Sequence, residues 1–234
     1  MSIENSIEKP VEKSYGLIIV KPDALELQLE HFVDGILNGH NEEVLYGFEI
    51  SADNKEKIRN LRLVKQFYRD ISQEPYDTKE VLDIFYRSFK DKRQYPIFMD
   101  VYNGPLMFLL VESDMPKADL DAVLKAFKGL PQQHNAEGET IIPPTGFRGM
   151  FMKPIRYYTK LEYKQMTEDE YRDNVPEIMT NMLHTTDSDA ETAEALYKLL
   201  PDYELDELES RGIKIRDFID QHYPRSLSLE FYEQ

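Results

Sequence analysis

Two rhythms of apolar residues run along the chain. Tyr15-Gly-Leu-Ile-Ile-Val20 is short, β-branched and apolar throughout, which predicts a strand buried on both faces. Pro22 stops it by removing a ladder donor. Leu29, Phe32, Val33, Ile36 and Leu37 recur at helical spacing and predict a helix over 27–37, with Gly39 and Asn41 as stops. The run 44–50 reads as a second strand, weakened at Gly47. Helices are expected over 54–70, with Leu61, Val64, Phe67 and Tyr68 inward, and over 78–90, capped by Thr78. A short apolar run at 97–101 and a turn at Asn103-Gly104-Pro105 lead to a third, fully buried strand over 106–111. A helix over 118–127 closes at Gly129. Proline, glycine and polar residues make 130–147 a long loop, of the kind that often carries function. Residues 155–163 look strand-like and 167–174 like a polar helix. After 178–184, Ser188-Asp-Ala-Glu191 forms a capping box before a helix carrying Ala193, Ala195, Leu196, Leu199 and Leu200. Pro201 ends that helix, and two short helical pieces follow at 205–210 and 213–222.

Composition narrows the chemistry. The 234 residues are 41% apolar, enough for one large domain with additions. Lysine and arginine number 28 against 44 acidic residues, a net charge of −16. That charge opposes nucleic acid and anionic lipid over the general surface, so a phosphate-bearing ligand needs a local cluster of cations. With no cysteine, disulfides, thiolate metal sites and cysteine nucleophiles are excluded. The polar start shows no signal peptide, and no apolar run approaches the roughly 18 residues of a membrane helix. The expectation is a soluble, cytoplasmic protein.

The candidate chemistry is a set of isolated polar residues at element ends. His184 stands just before a helix start, where free amides and the helix dipole favour an anion. A histidine there could accept or transfer a phosphoryl group; most histidines so placed do neither. Lys21 follows the first strand, Lys125 lies near a helix end, and Arg148 sits in a loop between small residues. Walker-type and dinucleotide glycine motifs are missing, and no pair of the five scattered histidines has a helical or strand spacing suited to a metal.

Four motifs, in order, resemble those of nucleoside diphosphate kinases. Lys21-Pro22-Asp23 after an apolar strand is similar to the family's Lys-Pro-Asp, and Asn103-Gly104-Pro105 to its Ser-Gly-Pro. Arg148-Gly149-Met-Phe151 is similar to Arg-Gly-Asp-Phe, and Asn181-Met-Leu-His184-Thr-Thr186-Asp187-Ser188 to Asn-Ile-Ile-His-Gly-Ser-Asp-Ser. The resemblance spans about 14–200. It implies an α+β, ferredoxin-like fold, a four-stranded antiparallel sheet covered by helices. It also implies a ping-pong reaction through a phosphohistidine at His184, from a nucleoside triphosphate to a diphosphate. Lys21, Arg148 and Lys125 would hold phosphates, Asn181 the sugar, Tyr68 would stand beside the base, and Thr186 replaces a serine near the histidine. Mg²⁺ would arrive on the nucleotide phosphates, with no protein metal ligands. The implied organisation is a flexible arm at 1–13, a domain over 14–200 and a helical extension over 201–234. Extra segments near 71–92, 132–143 and 152–178 could alter the family's oligomer surfaces, so a homo-oligomer is one expectation.

The departures are specific. Lys125 replaces an arginine and loses its bidentate fork. Thr185 replaces a glycine or alanine. The glutamate that orients the family's histidine falls at Ala195 or Leu196, with Glu194 the nearest carboxylate. The phosphate-binding threonine is Thr140 or Thr145, and Phe85-Tyr86-Arg87 rivals Phe67-Tyr68-Arg69 for the base-side tyrosine. Three uses stay open: an active kinase, a nucleotide-binding or interaction domain without turnover, and transfer to a protein acceptor.

Overall fold

The computed structural model describes residues 13–86, 103–130, 133–134, 140–142, 145–151, 165, 167, 169–170 and 182–223. Strands β1 (Ser14–Val20), β2 (Arg62–Asp70), β3 (Pro105–Ser113) and β6 (Leu183–Thr185) form one antiparallel sheet in the order β2-β3-β1-β6. Between β3 and β6 in sequence, β4 (Gln133–His134) and β5 (Thr140–Ile142) pair as a separate ribbon. Two crossovers interleave in the main sheet, the ferredoxin-like arrangement. The first runs from β1 to β2 through α1 (Pro22–Glu26), α2 (Glu30–Leu37), α3 (Glu42–Gly47) and α4 (Ala52–Arg59). The second runs from β3 to β6 by way of α6 (Lys117–Lys128) and α7 (Gly146–Phe151); α5 (Thr78–Tyr86) joins β2 to β3.

The all-apolar strands are explained by a core on each side of the sheet. Leu17 and Ile19 of β1, with Leu106, Phe108 and Leu110 of β3, pack with α5 and the C-terminal helices. Ile18 and Val20, with Met107, Leu109 and Val111, pack with α2, α3, α4 and α6. Neither strand has a solvated face, so neither alternates. The C-terminal helices are α8 (Asp189–Leu199), α9 (Asp202–Ser210) and α10 (Ile215–His222). Leu205, Leu208, Ile215 and Phe218 join the first core, so the extension closes one face of the sheet.

Three sequence expectations are corrected. The helix expected over 54–70 is α4 followed by β2. Leu63 pairs with Val111 and Lys65 with Leu110, which leaves Val64 as an extra residue. This bulge puts Val64 and Phe67 into the same core three residues apart, a spacing that copies a helix. The strand expected over 44–50 is α3, whose Glu42 and Glu43 suit a helix N-terminus and whose Leu45 is buried; short apolar runs do not separate helix from strand. The helix over 27–37 starts later, at Glu30, because Gln28 adopts φ 57°. The runs at 97–101 and 155–163 lie outside the described residues, as does most of 167–174. Thr167 and Glu170 do form a capping box there, Glu170 N–H donating to Thr167 Oγ1 at 3.2 Å. Among the described residues no helix is long and apolar enough to cross a membrane.

Candidate active site

His184 is held by a three-residue strand on the sheet edge. Ile18 pairs with Thr185, Ile19 with His184 and Val20 with Leu183. Alternation sends Leu183 and Thr185 into the second core and His184 to the face of α5 and α8. Thr185, a departure from the family pattern, is therefore buried away from the ring's side. Before the strand, Met182 adopts φ 58°, unusual for a side-chain-bearing residue. Two bonds fix it there. Its carbonyl accepts Lys21 N–H at 2.9 Å, and its N–H donates to Asp23 Oδ2 at 3.0 Å.

Beyond the strand the chain is stapled back onto β1. Thr186 N–H donates to Leu17 O at 3.1 Å, and Leu17 N–H donates to Thr186 Oγ1 at 3.0 Å. Thr186 Oγ1 and Thr192 Oγ1 are 2.8 Å apart, and Thr192 Oγ1 donates to Ser188 O at 2.9 Å. Since a carbonyl only accepts, the Thr192 proton goes to Ser188 and the Thr186 proton to Thr192. The Thr186 hydroxyl thus donates one bond, accepts another and is 1% exposed. In this structure Thr186, which stands where the family has a serine near the histidine, braces the strand against β1 and α8.

The ring itself is gripped from two helices. Phe85 of α5 lies 5.2 Å away, centroid to centroid. His184 Nε2 is 2.9 Å from Glu191 Oε1, and Glu191 Oε2 accepts Asp187 N–H at 2.7 Å. Ser188 Oγ accepts Glu191 N–H at 3.2 Å, completing one half of the capping box. Burial, then Lys21 and Lys128, hold the imidazole well below its ordinary 6.5. Burial pushes Glu191 up from 4.5 to about 7. At neutral pH the ring is neutral, and the contact is a hydrogen bond of an uncharged imidazole. The side chain stays 13% exposed, so a ligand can reach it.

Three cations converge beside this ring. Lys21, at the end of β1, is 2% exposed. Burial, then Arg148, press its ammonium well below its usual range. Arg148 lies on α7, not in a loop, and two glycines bring that helix in. Gly129 (φ 81°) would press a Cβ to 1.7 Å from Thr145 O, and Gly146 (φ 59°) to 2.5 Å from Ala126 O. Only glycine fits either place. The Arg148 guanidinium then donates to Gly129 O at 3.3 Å and to Leu183 O at 3.0 Å. The third cation is Lys128, lowered by burial and then by Arg148. Lys125, one turn earlier, is 54% exposed and lies 3.7 Å from Asp187.

The structure therefore gathers His184, Lys21 and Arg148, with Lys125 at the margin. Tyr68 is not gathered. It sits on β2, the edge strand opposite β6, is half exposed and faces the Met107 side of the sheet. Three strand spacings separate it from His184, on the order of 14 Å. The rival Phe85-Tyr86 match lies on α5, with Phe85 against the ring. Asn181 lies outside the described residues. Thr145 ties the loop ends together, its Oγ1 accepting Leu130 N–H at 3.0 Å, and Thr140 lies in β5. Glu194 is drawn to Lys198 at 3.5 Å and not to the ring. Glu191, Lys128 and Phe85 were missed as site residues. The capping box was the one available signal for Glu191, because it turns that carboxylate back toward the strand.

No family model matches the chain, and no curated protein matches it in sequence. In structure it is similar to a transition-state mimic of the nucleoside-diphosphate kinase from Borrelia burgdorferi with bound vanadate and ADP, at 16% identity and TM-score 0.47, covering 82% of this chain and 89% of that one. It is similar to the Aquifex aeolicus nucleoside diphosphate kinase at 17% identity and TM-score 0.42, covering 82% and 99%. It is also similar to an NDP kinase from Pyrobaculum aerophilum at 11% identity and TM-score 0.43, covering 82% and 98%.

Proposed function

We propose that this protein is a phosphotransferase of the nucleoside-diphosphate-kinase type, with His184 as the group that carries the phosphoryl. The observation behind this reading is a neutral, clamped imidazole within a collar of three cations. A neutral ring keeps a nucleophilic lone pair, and the cations offset charge on the transferring phosphoryl group. With Nε2 engaged by Glu191, Nδ1 is the attacking atom. The Nδ1–P bond forms as the bond from Pγ to the bridging oxygen breaks, and the diphosphate leaves with that electron pair. The ring becomes a phosphorylated imidazolium, and its Nε2–H points at the Glu191 carboxylate, which offsets the new charge. The reverse step, with another nucleoside diphosphate, restores the ring. A Mg²⁺ ion carried by the nucleotide phosphates would supply further charge neutralisation.

A second reading, binding without turnover, draws on the Glu191 pKa of about 7. When that carboxyl is protonated it donates to Nε2, which moves the ring proton to Nδ1 and removes the nucleophilic lone pair. The two readings separate on one experiment. The protein is incubated with γ-labelled ATP and Mg²⁺ at pH 7 and pH 8.5, beside His184→Ala, and then chased with GDP. The kinase reading expects acid-labile label that needs His184, forms faster at pH 8.5 and moves to GDP. Label that remains on the protein points to a protein acceptor. Nucleotide binding without label at either pH overturns the transfer.

A further inference from the structure

We infer that Lys128, rather than Lys125, is the lysine of α6 that meets the transferring phosphate, completing a cradle with Lys21 and Arg148. The inference rests on the phosphotransferase reading of His184. The two lysines lie three residues apart and share one face of the helix. Their surroundings differ. Lys125 points outward, more than half exposed, with Asp187 as its ion-pair partner. Lys128 immediately precedes Gly129, whose carbonyl accepts from Arg148. The same guanidinium donates to Leu183 O, and Leu183 immediately precedes His184. One arginine thus binds the carbonyls beside both residues and draws the end of α6 onto the histidine strand.

The charges facing Lys128 are Arg148 and Lys125, which oppose its ionisation, and Asp187 and Glu191, which favour it. Burial and Arg148 dominate. An ammonium so placed gains from the arrival of an anion with several charged oxygens, and a triphosphate supplies them. Lysine in place of the family's arginine at Lys125 is then no loss, because the cation contact has moved one turn along the helix.

The test compares the full chain with Lys128→Met, Lys128→Arg and Lys125→Met. Binding of inorganic tripolyphosphate is read by calorimetry at low salt, and label formation from γ-labelled ATP with Mg²⁺ by rapid quench. Lys128→Met should weaken tripolyphosphate at least about tenfold and slow labelling about a hundredfold. Its melting temperature should equal or exceed that of the natural chain, since a crowded cation is gone. Lys125→Met should stay within about threefold in both readouts. Equal binding by Lys128→Met, or the larger loss in Lys125→Met, overturns the inference. If Lys128→Met melts lower, Lys128→Arg decides: restored binding supports the cradle and absent binding overturns it. If the natural chain takes no label, the phosphotransferase reading falls. The tripolyphosphate comparison then still decides the lysine by the same criteria.

Discussion

Two charged clusters at opposite edges of the sheet follow different rules. At the β2 edge the described cations each meet a carboxylate. Arg69 lies 2.6 Å from Glu204, and Lys65 lies 3.3 Å from Glu204 and 2.9 Å from Glu207. Arg69 also donates to Leu199 O, and Arg211 donates to Val64 O. This cluster docks α9 onto β2 and extends the sheet's covered face. At the β6 edge, Lys21, Lys128 and Arg148 stand near one another around a neutral histidine, with Asp23, Asp187 and Glu191 close by, and burial presses two of the cations below their ordinary range. Balanced buried charge is what structure alone requires. Cations pressed down by burial and by one another mark a place suited to an anionic ligand.

The contrast can be broken or sharpened by substitution. The largest expected effect is at the balanced edge. Glu204→Ala leaves the largely buried Arg69 without its carboxylate, with Lys65 keeping only Glu207, and should cost about 3 kcal/mol in denaturant unfolding. Labelling of the molecules that remain folded should not change. A loss of labelling at unchanged stability would show that this edge also serves the site.

Glu191 gives the next effect, and its sign is set by pH. Its folded value, about 7, exceeds the ordinary 4.5. Between these values the folded chain keeps a proton that the unfolded chain has released, so stability falls as pH rises from 4.5 to about 7 and stays reduced above it. Glu191→Gln removes that slope. At pH 8 it should be more stable than the natural chain by roughly 1–3 kcal/mol, while labelling falls and loses its rise through pH 7. A variant that is less stable at pH 8 would contradict the buried carboxyl.

Thr186→Val tests whether the strut serves only structure. It leaves the buried Leu17 N–H without its acceptor and should cost about 1–2 kcal/mol. Nucleotide affinity per folded molecule should hold; a selective loss of affinity would return Thr186 to the ligand. Tyr68→Ala should do least, within about 0.5 kcal/mol and with unchanged labelling, because its ring is exposed on the far edge. Any tenfold loss of labelling there would relocate the nucleotide.

The sequence by itself determined whatever depends on near neighbours. The two fully buried strands, β1 and β3, are legible in their unbroken apolar runs. The start of α8 is legible in Ser188-Asp-Ala-Glu191, and the two helices after Pro201 in their spacing. Lys21 was legible as the residue that closes an apolar strand, His184 as the residue ahead of a helix start, and Arg148 through its motif. Tertiary structure decided the rest. The bulge at Val64 turned a strand into a helix-like pattern, and only pairing with β3 separates the two. Thr186 is a strut because Leu17, 169 residues away, presents its N–H there. Glu191 and Lys128 enter the site because α8 and α6 are set against one short strand by bonds from β1 and α7. Periodicity and capping are local energies and can be read along the chain. Which side chains surround one imidazole depends on backbone positions far apart in sequence, and no local pattern contains that information.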